Sequence, residues 1–293
     1  MPRNLNDGRG EPPHLKIELN MGNLEKLPDW SSAPRASDPE ALLAALRRAG
    51  FDGTQGGDPA ASARLGMSVT GSARIDRPGQ IGDVAARCRD EGHAGMTVHV
   101  GWGMEDDAAV DALVGEINQV SDDLDFPVYI ETHRATVTQD NWRTVQLLER
   151  LPDTRFNGDF SHWYTGHEMV YGGFEAKLAF IAPVLERVRY IHGRIGDPGC
   201  IQVDIGDGEG RGHVDHFRRM WTRAMAGFLE SAGPGDYLAF APELLNSDIH
   251  YARRVPGPDG VPREEGDRWQ QALVYADIAR ACFAEAGRRP AAG

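Results

Sequence analysis

Cysteine is scarce. The 293 residues include three, Cys88, Cys200 and Cys282, far apart and in no Cys-x-x-Cys pair. That excludes a disulfide-framed scaffold and a thiolate zinc cage, and it fits reduced thiols in a cytoplasmic protein. Long apolar runs are missing too, so no membrane span is expected. Residues 1–13 are polar, hold proline and glycine, and lack an apolar h-region. They read as a flexible tail, not a secretory signal. Basic charge is short: 31 Lys and Arg stand against 44 Asp and Glu, a formal charge of −13. No basic run is longer than a pair such as Arg218-Arg219. A phosphate backbone is repelled by such a surface, so nucleic acid is not an expected partner.

Against these absences stands a regular alternation. Apolar runs at 14–20, 50–55, 66–70, 95–101, 127–132, 156–160, 188–194 and 237–244 read as strands. Amphipathic stretches at 38–48, 81–91, 106–122, 141–151, 174–185, 214–231 and 267–286 read as helices. Ala41, Leu42, Ala45 and Leu46 show the spacing. Strands and helices alternating at roughly 30-residue intervals imply parallel βαβ units. Eight of them close into a (β/α)8 TIM barrel, with a doubly wound open sheet as the alternative α/β fold. A single barrel domain is expected over 14–288. Two longer loops, 22–37 and 245–267, leave the C-terminal ends of the first and last strands, where barrel active sites lie.

The last four strands each end on a metal-ligand residue: Glu131 (IETH), Asp159 (GDFSH), His192 (IHGR) and Glu243 (APEL). Intervals of 28, 33 and 51 residues separate them, one βα unit each, the last lengthened by the loop 196–212. In a barrel they converge at one mouth. Three carboxylates and an imidazole make a hard, oxygen-rich site, suited to Mn²⁺ or Mg²⁺ and tolerably to Co²⁺. Without a cation the carboxylates would raise one another's pKa values.

These motifs, with GFDG near strand two and VHVG at strand four, resemble the xylose isomerase-like TIM barrel superfamily. The likeness spans about 14–287 and is nearest to sugar (phosphate) isomerases and epimerases, including the ketose 3-epimerases. The resemblance implies one Mn²⁺ on Glu131, Asp159, His192 and Glu243, with Glu131 and Glu243 exchanging protons. It also implies a substrate contact from His162 of the Asp-x-x-His motif. Arg194, two residues past His192, is the nearest counterpart of the family's substrate-binding arginine.

Other residues enter as candidates. His133 shares a strand side with Glu131 and is either a further acid/base or a surface histidine. His99 is expected to line the pocket. Trp102 and Trp163 follow strands four and six, where rings can face a sugar's C–H surface. Glu18 is a weaker pocket candidate. His213, Asp215 and His216 (GHVDHF) more simply open a helix. The glycine-rich GDGEGRG at 206–212 fails the dinucleotide pattern.

The function expected is a metal-dependent isomerase or epimerase of a small polyhydroxylated carbonyl compound, acting through an enediolate. The alternative is a lyase or dehydratase on the same barrel, like inosose dehydratases or C-glycoside-cleaving enzymes. An endonuclease IV-like nuclease lacks its further histidines here, and a non-catalytic subunit is the remaining reading. The expected partner is a small carbohydrate-like substrate; association into a homo-oligomer is left open.

Overall fold

The computed structural model describes residues 4–288. After a short strand β1 (Leu5–Asn6) come β2 (His14–Asn20), β3 (Gly53–Gln55), β4 (Ser68–Ile75), β5 (Gly95–Val100), β6 (Val128–Glu131), β7 (Phe156–Asn157), β8 (Val188–Gly193) and β9 (Asp236–Pro242). From β2 to β9 each strand pairs in parallel with the next, and β9 pairs with both β8 and β2. The sheet is closed: the fold is the (β/α)8 TIM barrel.

Aspartates start the helices. Asp38, Asp58, Asp106, Asp140 and Asp267 accept backbone N–H groups at the starts of α1 (Pro39–Arg48), α2 (Pro59–Arg64), α4 (Asp107–Asp123), α5 (Asn141–Arg150) and α10 (Arg268–Ala286). Each cap satisfies a donor that the helix cannot. Between them stand α3 (Ile81–Asp90), α6 (Ser161–Gly166), α7 (Phe174–Phe180), α8 (Ala182–Leu185) and α9 (Gly212–Leu229). The single helix expected at 174–185 is split, because Pro183 lacks an N–H and crowds the preceding turn. Two short helices escaped the sequence reading: α2 and α6 have six residues each, too few for an apolar stripe. Among the described residues no helix is long and apolar enough to cross a membrane.

The expected tail is a second correction. Residues 1–3 lie outside the described residues, but Leu5 and Asn6 pair antiparallel with Tyr237 and Asp236. Leu5 is fully buried among Tyr129, Tyr190 and Tyr237 at the N-terminal end of the barrel. Gly95 makes room for it: a Cβ there would lie 2.8 Å from Leu5 Cδ2. Above this ring lies Glu18, also fully buried, accepting hydroxyls from Thr70 (2.7 Å), Ser68 (2.9 Å) and Tyr190 (2.9 Å). Burial pushes its pKa up. Glu18 therefore belongs to the filled barrel interior below the mouth.

The two long loops are joined by one residue. Arg268, at the start of α10, is buried and ion-paired with Glu264 at 2.8 Å. Its remaining N–H groups go to the carbonyls of Asn23 (2.6 Å), Glu25 (2.8 Å) and Lys26 (3.2 Å). Glu264 comes from a hairpin of β10 (Arg254–Pro256) and β11 (Pro262–Glu264), which the sequence reading had as plain loop. Asn23 in turn donates to Pro242 O (2.6 Å) and accepts from Leu244 N (2.9 Å), bracing the backbone on both sides of Glu243. Replacing Arg268 by Ala should cost about 3–5 kcal/mol, since it strands a buried carboxylate. Urea unfolding checks this, and a loss below about 1 kcal/mol, as for a surface pair, would reject the staple.

Candidate metal centre

Glu131 ends β6, Asp159 follows β7, His192 lies in β8 and Glu243 follows β9. Their register is staggered. Glu131 is level with Asn157 and His192 with Ala241, so Asp159 and Glu243 each stand two residues further along. Barrel strands tilt, and the tilt returns all four to one mouth. One ligand atom from each lies within 4.8 Å of the others. Glu131, Asp159 and His192 are buried; Glu243 is partly open.

Hydrogen bonds fix each group. His192 Nε2 meets Gln55 Oε1 at 2.7 Å, while its Nδ1 lies 3.3 Å from both Glu131 and Glu243. Asn157 Nδ2 donates to Glu131 Oε2 at 3.1 Å, and His99 Nε2 sits 3.1 Å from Glu131 Oε1. Asp159 Oδ1 accepts from the Ser161 amide (3.1 Å) and hydroxyl (2.5 Å) at the start of α6. Asn20 Nδ2 donates to Glu243 Oε1 at 2.9 Å. A cavity of about 120 Å³ opens beside Glu131, His192 and Glu243, walled by Asn20, Gln55, Thr97 and His99.

No protein-family model matches the sequence, and no curated protein matches it. Solved structures do. A xylose isomerase-like TIM barrel protein from Mycobacterium smegmatis, in complex with magnesium, is 14% identical at a TM-score of 0.55, over 92% of this chain and 97% of its own. The probable 3-DHS dehydratase AsbF from Bacillus anthracis is 12% identical at a TM-score of 0.51, over 80% and 94%. This chain shares the TIM-barrel fold of both.

At the mouth of that barrel, the donor set fits a hard divalent cation. Asp159 Oδ2 is buried without a hydrogen-bond partner, its neighbours being Arg194 Nη1 at 3.3 Å and His162 Nε2 at 3.5 Å. Three carboxylates meet one arginine, so with His192 neutral, as a metal ligand must be, two positive charges are wanting. Electrostatics point the same way. Burial alone would lower the pKa of His192, but Glu243 and Glu131 raise it to about 9. Burial alone would raise Glu131 and Asp159; His192 and His99 hold the first, and Arg194 and His162 the second, well below the usual carboxylate range. The pocket favours positive charge.

The other sequence candidates divide. His99 lines the cavity, and Glu131 raises its pKa against the effect of burial. His133 stands between His99 and His162, ring centroids 4.3 and 3.8 Å away. Burial and the neighbouring His162 drop its pKa to about 3, so it is neutral. His162 has no exposed side-chain surface and is closed in by Asp159 and Arg194, so it is not a cavity wall. Arg194 is buried as well, spent on carboxylates instead of open to substrate. Trp102 is 58% exposed on the rim, stacked on Arg74 at 4.7 Å. Trp163 is fully buried and donates to Thr138 O at 2.7 Å. The α6 helix turns its ring into the core, which corrects its expected substrate contact. His216 stacks on Phe174 at 3.8 Å, and the 213–216 group joins neither potential metal grouping among the described residues.

Asn20, Gln55, Thr97, Asn157 and Tyr251 were missed. Asn20 and Gln55 end β2 and β3 as Glu131 ends β6, a signal present in the spacing but uncharged. Tyr251 arrives from the long loop after β9, where no spacing rule applies. Its ring covers Arg194 at 4.3 Å, and its hydroxyl lies 3.4 Å from His133 Nε2.

Proposed function

We propose that this chain is a divalent-metal-dependent isomerase or epimerase of a sugar or related polyhydroxylated carbonyl compound. One observation carries the reading: Glu131 and Glu243 flank His192 and open on the same cavity. Glu131, Asp159, His192 and Glu243 would hold the cation, with Mn²⁺ best suited and Mg²⁺ or Co²⁺ as substitutes. A divalent cation there supplies Lewis acidity to a carbonyl and its neighbouring hydroxyl, lowering the pKa of the intervening C–H.

The protein's own groups do the rest. Glu243, the more open carboxylate, takes the proton from carbon, and the substrate becomes an enediolate. Asn20 holds Glu243 Oε1 so that the carboxylate keeps its aim. Glu131 relays a proton from His99, 3.1 Å from its Oε1, to the opposite face, giving the epimer, or to the adjoining carbon, giving the isomer, while the proton on Glu243 passes to solvent and solvent reprotonates His99. His99, on Glu131 Oε1, stabilises that carboxylate. Gln55 and Thr97 offer amide and hydroxyl groups to substrate oxygens.

A second reading has an observation of its own. His133 Nδ1 faces the Arg134 carbonyl and so carries the proton, which leaves Nε2 to accept from the Tyr251 hydroxyl. The Tyr251 hydroxyl, oriented by His133, is then the acid; it is not needed for isomerisation, but it would protonate a leaving group in elimination.

One experiment separates them. With Mn²⁺ in D₂O and a panel of free ketoses, aldoses and inososes, a substrate should gain one solvent deuteron next to its carbonyl at unchanged composition. Mass spectrometry reads it. Loss of water or of a larger leaving group would instead support elimination. Turnover without deuterium uptake would reject proton transfer in favour of a hydride shift.

A further inference from the structure

We infer that Arg194 is a fixed internal cation that sets the charge deficit of the quartet at two, so that the site takes one divalent ion and discriminates against trivalent ones. This rests on the quartet being the cation site.

Arg194 stands two residues beyond His192 on β8's continuation, and it is 1% exposed. Its guanidinium joins two carboxylates from separate elements. Nη2 donates to Glu243 Oε2, and Nη1 lies 3.3 Å from Asp159 Oδ2. Nε donates to the Glu243 carbonyl at 3.0 Å, which fixes the fork in place. The Tyr251 ring covers its face at 4.3 Å. Among the described residues no other arginine or lysine pairs with a carboxylate of the quartet.

A guanidinium keeps its charge at any pH the protein survives, so this positive charge is permanent. Buried net charge is costly. Over the quartet and Arg194, Glu131, Asp159 and Glu243 carry three negative charges, Arg194 returns one, and His192, which must give up its proton to ligate a metal, adds none. One divalent ion closes the balance, and a trivalent ion overshoots it. A role in merely holding Glu243 would not need a charge, since Asn20 already serves its other oxygen. Arg194 is thus a positioning residue acting through charge.

The test compares metals in the whole chain, without substrate. Mn²⁺ affinity is measured by electron paramagnetic resonance, and Tb³⁺ affinity by its luminescence and by competition with Mn²⁺. In Arg194→Met the Tb³⁺ to Mn²⁺ affinity ratio should rise about tenfold or more, because a unit charge a few ångströms away has been removed. Arg194→Lys should keep the wild-type ratio. A structural role would weaken both metals alike and leave the ratio unmoved; that result, or a lysine variant that behaves like the methionine one, overturns the proposal. If circular dichroism shows Arg194→Met unfolded, Arg194→Gln takes its place with the same expectation. Mn²⁺ binding that survives Asp159→Ala unchanged would instead remove the cation site itself.

Discussion

Replacing Glu243 by glutamine should cut turnover by roughly 10²–10⁴-fold, the usual yield of a positioned general base. The amide keeps the size and one oxygen of the carboxylate but takes no proton from carbon. It is also a poorer cation ligand. Its surroundings explain why the fold should survive. Glu243 is the most open member of the quartet, held by Asn20 Nδ2 at 2.9 Å and by Arg194 Nη2, and its backbone is braced independently by Asn23. The glutamine oxygen can turn toward Arg194, leaving one donor facing Asn20, a strain on the scale of one lost hydrogen bond. Unfolding by urea should therefore shift by about 1–3 kcal/mol at most. Deuterium uptake from D₂O should fall with turnover, because both report the same proton transfer. Activity within a few-fold of the unsubstituted protein would reject Glu243 as the base, and would shift the role to Glu131.

The parts legible in the sequence are those with a period. Strand β2 falls at 14–20 as the apolar run implies, and the strand ends of the second half bring Glu131, Asp159, His192 and Glu243 together. A parallel barrel repeats one unit, so residues at corresponding strand ends must share a mouth. What the period does not carry was lost. Leu5 reads as tail because two residues show no alternation, yet its burial is decided by the gap over Gly95. Trp163 reads as rim because it follows a strand, but a short helix begins there, its first amide held by Asp159, and the ring is fully buried. Arg194 and His162 lie on the correct elements at the correct height. Their partners were not predictable, since a guanidinium at a mouth can face substrate or carboxylates, and only the packing of Tyr251 decides. The Arg268 staple depends on contacts some 240 residues apart in the chain, and the strands of hairpin β10–β11, three residues each, are too short to show alternation.

Stoichiometric metal binding decides whether Glu131, Asp159, His192 and Glu243 form one cation site. Protein stripped with chelator is titrated with Mn²⁺, and bound ion is counted by electron paramagnetic resonance. One Mn²⁺ per chain is expected. Asp159→Ala and His192→Ala should each weaken it by more than the roughly 10–100-fold that loss of an outer-shell partner costs. Trp102→Phe, whose exposed ring covers Arg74 and no member of the quartet, should leave it unchanged. No saturable Mn²⁺ binding, or binding that persists undiminished in both Asp159→Ala and His192→Ala, would contradict the site.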